Sequence, residues 1–195
     1  MFTGIIHFLG AVAGYRQNRQ ILVIKAPDLP GPLKRGESLA VNGVCLSVES
    51  HEAEKLSFHL SRETLALTNL SQLRPGDLVN LELPLTLQTP LSGHLVTGHV
   101  DAMGTILRVE SRGEGKRMTI SSPENLRPYL VPKGSIAVNG VSLTIAFLGK
   151  DYFEVELIPL TLQKTNLGRL RPGDKVNLEG DIIGKYVYNY LSKEK

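Results

Sequence analysis

The sequence predicts an all-β chain made of two homologous small antiparallel barrels or sandwiches, followed by one C-terminal α-helix. Three observations carry that expectation. The segment Val41-Asn42-Gly43-Val44-Cys45-Leu46-Ser47-Val48 returns 97 positions later as Val138-Asn139-Gly140-Val141-Ser142-Leu143-Thr144-Ile145. A longer block, residues 64–82, returns at 161–179 with its Thr-Asn-Leu and Arg-Pro-Gly-Asp elements intact. Between these landmarks the apolar runs are short, alternate with polar residues, and are punctuated by Gly, Pro and Asn-Gly, as in antiparallel strands. Solenoid repeats span only roughly 20–50 residues, so a repeat this long is a whole domain.

Taken in order, Met1-Phe2-Thr3-Gly4-Ile5-Ile6 is apolar, broken by glycine, and echoed by Leu95-Val96-Thr97-Gly98-His99-Val100. Residues 20–25 alternate as a strand. They end at residues 26–32, whose three prolines cannot belong to a ladder interior. Asn42-Gly43 suits a tight turn with positive φ. In the strand that follows, Val44, Leu46 and Val48 point to one face and Cys45 and Ser47 to the other. Residues 56–61 form a strand matched by 153–158. Arg-Pro-Gly-Asp at 74–77 and 171–174 suits a type II turn, proline presetting φ and glycine supplying the positive φ.

Residues 61–67 fit no single pattern, and residues 123–130 read as a short helix. In the tail, Asp181 can cap a helix that places Ile183, Tyr186, Val187, Tyr190 and Leu191 on one face. That helix covers its own barrel or joins copies of itself from other subunits. Both barrels have complete repeat sets without it, which favours the second use. The expected units are an N-terminal barrel at 1–92, a C-terminal barrel at 93–180 and an oligomerisation helix at 181–195.

Composition narrows the function. The formal charge is +3 on 195 residues, and the basic residues are scattered without interleaved aromatics, unlike a nucleic-acid footprint. No stretch approaches the ~20 apolar residues of a membrane span. One cysteine permits no intrachain disulfide, and no signal or transit segment opens the chain. A cytoplasmic protein with no membrane and no nucleic-acid partner is expected.

A tandem repeat offers two surfaces of one shape, suited to two molecules of one ligand or to one ligand with similar halves. Chemistry is expected where the repeat breaks. Cys45 stands against Ser142, and its alternation places the thiol off the core face, where it can serve as nucleophile or donor. His99 stands against Ile5; on a regular strand it shares a face with Thr97 and Asp101, a carboxylate able to orient it. Arg62-Glu63 stands against Pro159-Leu160, and Glu63 can accept from a ligand's N–H groups. His94 and His99 fall on opposite faces of a regular strand, so with Asp101 they make no metal set. Neither a metal nor a cofactor is expected.

Five segments, in order, resemble the riboflavin synthase family of two-barrel lumazine-binding proteins. They are Met1 to Ile6, Asn42-Gly43-Val44-Cys45-Leu46-Ser47, residues 93–101, Asn139-Gly140-Val141-Ser142-Leu143-Thr144, and residues 177–187. The resemblance covers essentially the whole chain. It implies six-stranded antiparallel Greek-key β-barrels and a homotrimer joined through C-terminal helices. The implied reaction is a cofactor-free dismutation of two 6,7-dimethyl-8-ribityllumazine molecules to riboflavin and 5-amino-6-(ribitylamino)uracil. The active site would lie between the N-terminal barrel of one subunit and the C-terminal barrel of its neighbour.

Carried over by motif, the N-barrel pocket would use Gly4, Ile5, Ile6, Cys45, Leu46, Ser47, His59, Leu60, Ser61, Arg62, Glu63 and Thr64. The C-barrel pocket would use Gly98, His99, Val100, Lys133, Ser142, Leu143, Thr144, Ile158, Pro159, Leu160, Thr161 and Leu162. Phe2, Cys45, His99 and Ser142 would carry the chemistry. Asn139 stands where the family more often has aspartate, which removes a possible general base from the second pocket. Leu160 stands where it more often has a polar residue.

Two other readings stay open on the residues. One is a non-catalytic carrier like the lumazine proteins of luminous bacteria, against which the retained His94, His99 and Ser142 to Thr144 speak. The other is a two-barrel scaffold, against which the lack of a basic stripe and stacking aromatics speaks.

Overall fold

A computed structural model describes residues 1–193; the last two positions of the expected C-terminal segment lie outside the described residues. The first barrel comprises β1 (Phe8–Arg16), β2 (Ile21–Lys25), β3 (Ser38–Val41), β4 (Val44–Glu52), β5 (Lys55–His59) and β6 (Leu78–Glu82). The second comprises β7 (Ala102–Arg112), β8 (Gly115–Ser121), β9 (Ser135–Val138), β10 (Val141–Leu148), β11 (Tyr152–Leu157) and β12 (Lys175–Gly180). Each sheet closes on itself, in the order β1-β2-β5-β4-β3-β6 and its exact equivalent in the second half, with every pairing antiparallel. Closure leaves neither sheet an exposed edge.

The repeated strand behaves as its alternation requires. Val44, Leu46 and Val48 are buried in the first barrel, while Cys45 is half-buried and Ser47 exposed. Val141, Leu143 and Ile145 do the same in the second. Asn42 and Gly43 have φ of 46° and 76°, and Asn139 and Gly140 have 46° and 78°, the paired positive φ of a two-residue hairpin turn. Each barrel fills its own interior, around Leu22, Leu39 and Phe58 in one and Met118, Ile136 and Phe153 in the other.

Two local expectations are resolved. Residues 61–67, ambiguous in sequence, form α1 (Arg62–Leu67), with Ser61 Oγ accepting from the Thr64 N–H at 3.0 Å. Its counterpart is α2 (Pro159–Lys164), started by a proline instead of a capping side chain. The helix expected at 123–130 is only a 3-10 turn, Arg127–Tyr129. Pro128 has no N–H to continue an α-helical ladder there, and the Tyr129 and Leu130 amides that follow it bond three residues back.

The chain crosses between barrels before each barrel begins. Gly4 accepts from the Ser142 N–H at 2.8 Å, and Ile6 lies in the second barrel's core. In the opposite sense, Gly98 accepts from the Cys45 N–H at 2.9 Å, and Val100 packs on the first barrel's core. The two crossings meet where Phe2 and Val96 exchange backbone hydrogen bonds at 2.8 and 3.1 Å. Gly4 and Ile6, assigned by sequence to the N-terminal unit, thus lie against the other barrel.

Beside this axis lies a buried set of six asparagines, three from each barrel: Asn42, Asn69 and Asn80 with Asn139, Asn166 and Asn177. Asn177 Oδ1 accepts from the Asn69 N–H, and Asn80 Oδ1 from the Asn166 N–H, both at 2.7 Å. Asn80 Nδ2 donates to the Asn139 carbonyl, and Asn177 Nδ2 to that of Asn42, both at 2.9 Å. Each bond has its counterpart under exchange of the barrels. Asn139 is therefore an interface residue, and the expectation that it replaces a general base in the second pocket is corrected: its side chain is spent between the barrels.

The tail forms α3 (Ile182–Ser192), capped by Asp181, whose Oδ1 accepts from the Ile183 N–H at 3.0 Å. One side rests on the barrel through Lys185 Nζ, 2.6 Å from Asp101 Oδ1, and through Tyr188 edge-on to Tyr129. The expected apolar face is uncovered in the single chain: Ile183, Tyr186, Val187, Tyr190 and Leu191 are 53–73% exposed. Among the described residues, no helix is long and apolar enough to cross a membrane.

Candidate active site

Because the crossing segments change sides, the pocket memberships expected from the motifs are exchanged. Gly98, His99 and Val100 join Cys45, Ser61, Glu63 and Thr64 in lining a cleft of about 250 Å³ on the first barrel. Gly4, Ile5 and Ile6 are not part of that cleft; they run along Ser142 on the second barrel. Sequence periodicity could not reveal this, since it fixes the face of a strand and not the barrel against which a connecting segment lies.

The close approach requires glycine on both sides. A Cβ on Gly98 would stand 2.5 Å from Cys45 Cβ, and one on Gly4 would stand 2.6 Å from Ser142 Cβ. Both glycines also have positive φ, 84° and 77°. The backbone cradles are thus alike, and only the side chains on them differ.

On the first barrel the cleft mixes polar side chains with Val44, Leu67 and Val100. Thr64 and Glu63 come from the first turn of α1, His99 from the crossing segment, and Cys45 from β4. On the second barrel the positions of Ser61 and Glu63 are taken by Ile158 and Leu160, 59% and 58% exposed. Pro159 and Thr161 lie in the first turn of α2, and Leu162 packs against the barrel core.

Sequence reasoning weighed His94 only as a metal ligand and as a retained motif residue; the structure places it against Ser142. Its Nδ1 lies 2.8 Å from Ser142 Oγ, while its Nε2 is buried without a partner. Burial holds the imidazole below its ordinary value of 6.5, against the opposing field of Asp181. A neutral ring beside a hydroxyl can accept its proton. Treating residues 94–101 as one regular strand concealed the pair, because the segment bends at Gly93 and Gly98 and forms only the isolated bridge between Val96 and Phe2.

Several expected site residues take other places. Phe2 is fully buried between the barrels with Val96, Ala40 and Ala137, with Cys45 packed on that cluster, so it backs the site and has no surface to offer a ligand. Leu46, Leu60 and Leu143 point into barrel cores. Ser47, Arg62, His59 and Thr144 are exposed. Lys133 stands at the other end of β10, its N–H donating to Ile145 and its Nζ 3.5 Å from the Ala146 carbonyl. Asp101 does not orient His99; it pairs with Lys185 and accepts from the Gly180 N–H at 2.8 Å.

With this geometry in place, comparison with known proteins is decisive. The family described as lumazine binding domain matches residues 3–84 and again 97–181. Riboflavin synthase of Mycobacterium tuberculosis (strain ATCC 25618 / H37Rv) is 42% identical over 193 residues, covering 96% of each chain. The chain belongs to the riboflavin synthase family. Riboflavin synthase of Bacillus subtilis (strain 168) is 37% identical, over 99% of this chain and 91% of its own. Among solved structures, LumP complexed with riboflavin superposes with a TM-score of 0.82 at 24% identity, over 92% of this chain and 99% of that one. LumP complexed with 6,7-dimethyl-8-(1'-D-ribityl) lumazine gives 0.80 at 23%, with the same coverage. Those two likenesses establish the shared fold of this riboflavin synthase family member.

Proposed function

We propose that the protein catalyses the dismutation of two 6,7-dimethyl-8-ribityllumazine molecules, moving a four-carbon unit from one to the other to give riboflavin and 5-amino-6-(ribitylamino)uracil. The observation that carries this reading is a pair of cradles with one backbone geometry and different chemistry: Gly98 on Cys45 beside His99 and Glu63, and Gly4 on Ser142 beside His94. Identical substrates need identical seats to bind and unequal neighbours to become donor and acceptor.

The reaction requires a proton to leave the C7 methyl of one lumazine, the resulting anion to be stabilised, and the other lumazine to be activated by nucleophilic addition. Ser142 with neutral His94 suits addition, since the imidazole can take the hydroxyl proton as the oxygen attacks. His99 and Cys45 flank the other seat, where proton transfer from the methyl group is assigned. Holding two rings face to face supplies much of the acceleration, on the order of 7–11 kcal/mol in well-oriented systems.

The two seats of one chain lie on different barrels, so a complete site would pair the N-terminal barrel of one subunit with the C-terminal barrel of the next. A cytoplasmic homotrimer joined through the uncovered face of α3 accommodates this. A chain ending at Gly180 would then lose its oligomer in light scattering; an unchanged mass sinks that assembly. The activity is tested by incubating the protein with the ribityllumazine and following riboflavin formation. Product formation supports the proposal, whereas tight one-to-one binding without product supports a carrier.

A further inference from the structure

Each half of the proposed site is held in place by a carboxylate of the opposite barrel. Glu82, at the end of β6 in the first barrel, is 4% exposed. Its Oε1 accepts from the Thr3 N–H at 2.6 Å and from Thr3 Oγ1 at 2.7 Å, and its Oε2 accepts from the Gly4 N–H at 3.0 Å. Glu179, in β12 of the second barrel, is 2% exposed and repeats the arrangement on Thr97 and Gly98 at 2.6, 2.7 and 3.0 Å. The residue so gripped carries the pocket wall away from its holder. Gly4 presses on Ser142 in the second barrel, and Gly98 on Cys45 in the first.

Resting on the reaction assigned above, we infer that Glu82 and Glu179 are positioning residues that act crosswise, Glu82 setting the Ser142 seat and Glu179 setting the Cys45 seat. The chemistry selects a carboxylate. Three donors converge on two oxygens, and only an ionised carboxylate accepts at both without presenting a donor of its own. Glutamine would turn an NH2 toward one of those donors. With glycine walls already in van der Waals contact, a displacement at the clamp passes directly to Ser142 or Cys45. Burial raises both carboxyl groups above their usual 4.5, with the Thr and Gly hydrogen bonds opposing it. The titratable side chains whose fields also act on them are His7 on Glu82 and Lys185, itself paired with Asp101, on Glu179.

The two seats carry their own reporters, His94 beside Ser142 and His99 beside Cys45. In imidazole 15N spectra of the free, full-length protein, Glu179→Gln and the milder Thr97→Val are expected to shift the His99 signals and leave those of His94. Glu82→Gln and Thr3→Val are expected to do the reverse; Thr3→Val leaves the charge near His7 unaltered. With ribityllumazine, each variant is expected to lower kcat about tenfold or more while KM moves by less than threefold. Signals that shift in the holder's own barrel, in both seats equally, or in neither would overturn the crosswise assignment, as would unchanged kcat in all four variants. Thr→Val retains both backbone N–H bonds, so it remains informative if a Glu→Gln variant fails to fold. The spectra need no substrate; a wild-type protein that makes no riboflavin would refute the reaction while leaving the clamps to be judged by the spectra.

Discussion

His94 Nδ1 lies 2.8 Å from Ser142 Oγ, while the cysteine at the equivalent position of the other barrel shares its cleft with His99. The duplicated cradles are therefore served by histidines from two different points of the linker. His94→Gln is expected to slow riboflavin formation roughly 100-fold, the lower range for loss of one acid–base group. Equilibrium fluorescence titration with riboflavin should show affinity within a few-fold of wild type. Unchanged turnover would remove the histidine from the chemistry.

The same histidine makes stability depend on pH. Its folded value lies below 6.5, so the unfolded chain binds the proton more readily, and the contribution to stability is complete above 6.5 and lost as pH falls through the folded value. Glu82 and Glu179 act in the opposite sense. Their values are raised above 4.5, so their contribution grows as pH falls toward 4.5 and is lost as pH rises through the folded values. Urea unfolding at successive pH values from 8 downward, on the order of half-unit steps, should show a shallower loss below about 6.5 for His94→Gln than for wild type. Identical slopes would contradict the assignment.

Cys45→Ser keeps the hydrogen-bonding type found at Ser142 and removes the thiol. Turnover is expected to fall about tenfold or more while ligand binding persists, read from steady-state rates beside a binding titration. Cys45 is half-buried in the cleft, so ligand should also slow its alkylation by a small thiol reagent, followed by intact mass. Wild-type rates in the serine variant would refute a chemical role.

Gly43→Ala tests the contact between the barrels. A Cβ there would stand 2.6 Å from the Gly140 nitrogen, and φ is 76°. The conformational strain of about 1–2 kcal/mol adds to an overpacking cost of about 1–3 kcal/mol. Gly31, at φ 64° with open space around it, supplies the control: alanine there should cost only the strain. Denaturant midpoints compare the two; equal losses would show that the barrels yield at this contact.

Asn69→Ala removes the Nδ2 donor that reaches Asn139 Oδ1 and the Lys175 carbonyl across the interface. Each buried group left unpaired costs about 1–3 kcal/mol, so a loss of about 2–4 kcal/mol is expected by chemical denaturation. Combined with Asn139→Ala, the losses should add to less than their sum, because Asn139 Oδ1 accepts from Asn69 Nδ2. Strict additivity would mean the two do not share a network.

The fold was legible because its determinants are local and repeated. Val44, Leu46 and Val48 announce a half-buried strand, and Asn42-Gly43 announces its turn, in both halves. The crossing of residues 2–6 and 95–100 was not legible, because Thr-Gly reads the same whichever barrel it touches. The asparagines were conspicuous within Thr-Asn-Leu, Val-Asn-Leu-Glu and Asn-Gly, yet their purpose is a mutual one that appears only when the two halves meet. Cys45, Ser142, His99 and Glu63 were picked out by comparing the halves; the contact of His94 with Ser142 was not, because it depends on which barrel the connecting segment lies against.

The asparagine lattice carries a consequence for ancestry. Every bond from the first barrel to the second has its mirror from the second to the first, so the contact is isologous even though one covalent chain makes it. A gene encoding a single such barrel would already specify its own partner, and fusing two copies would preserve the contact without inventing one. Fusion adds independence: once both halves sit in one reading frame, one can keep a cysteine and the other a serine, which no symmetric pair of identical chains can do.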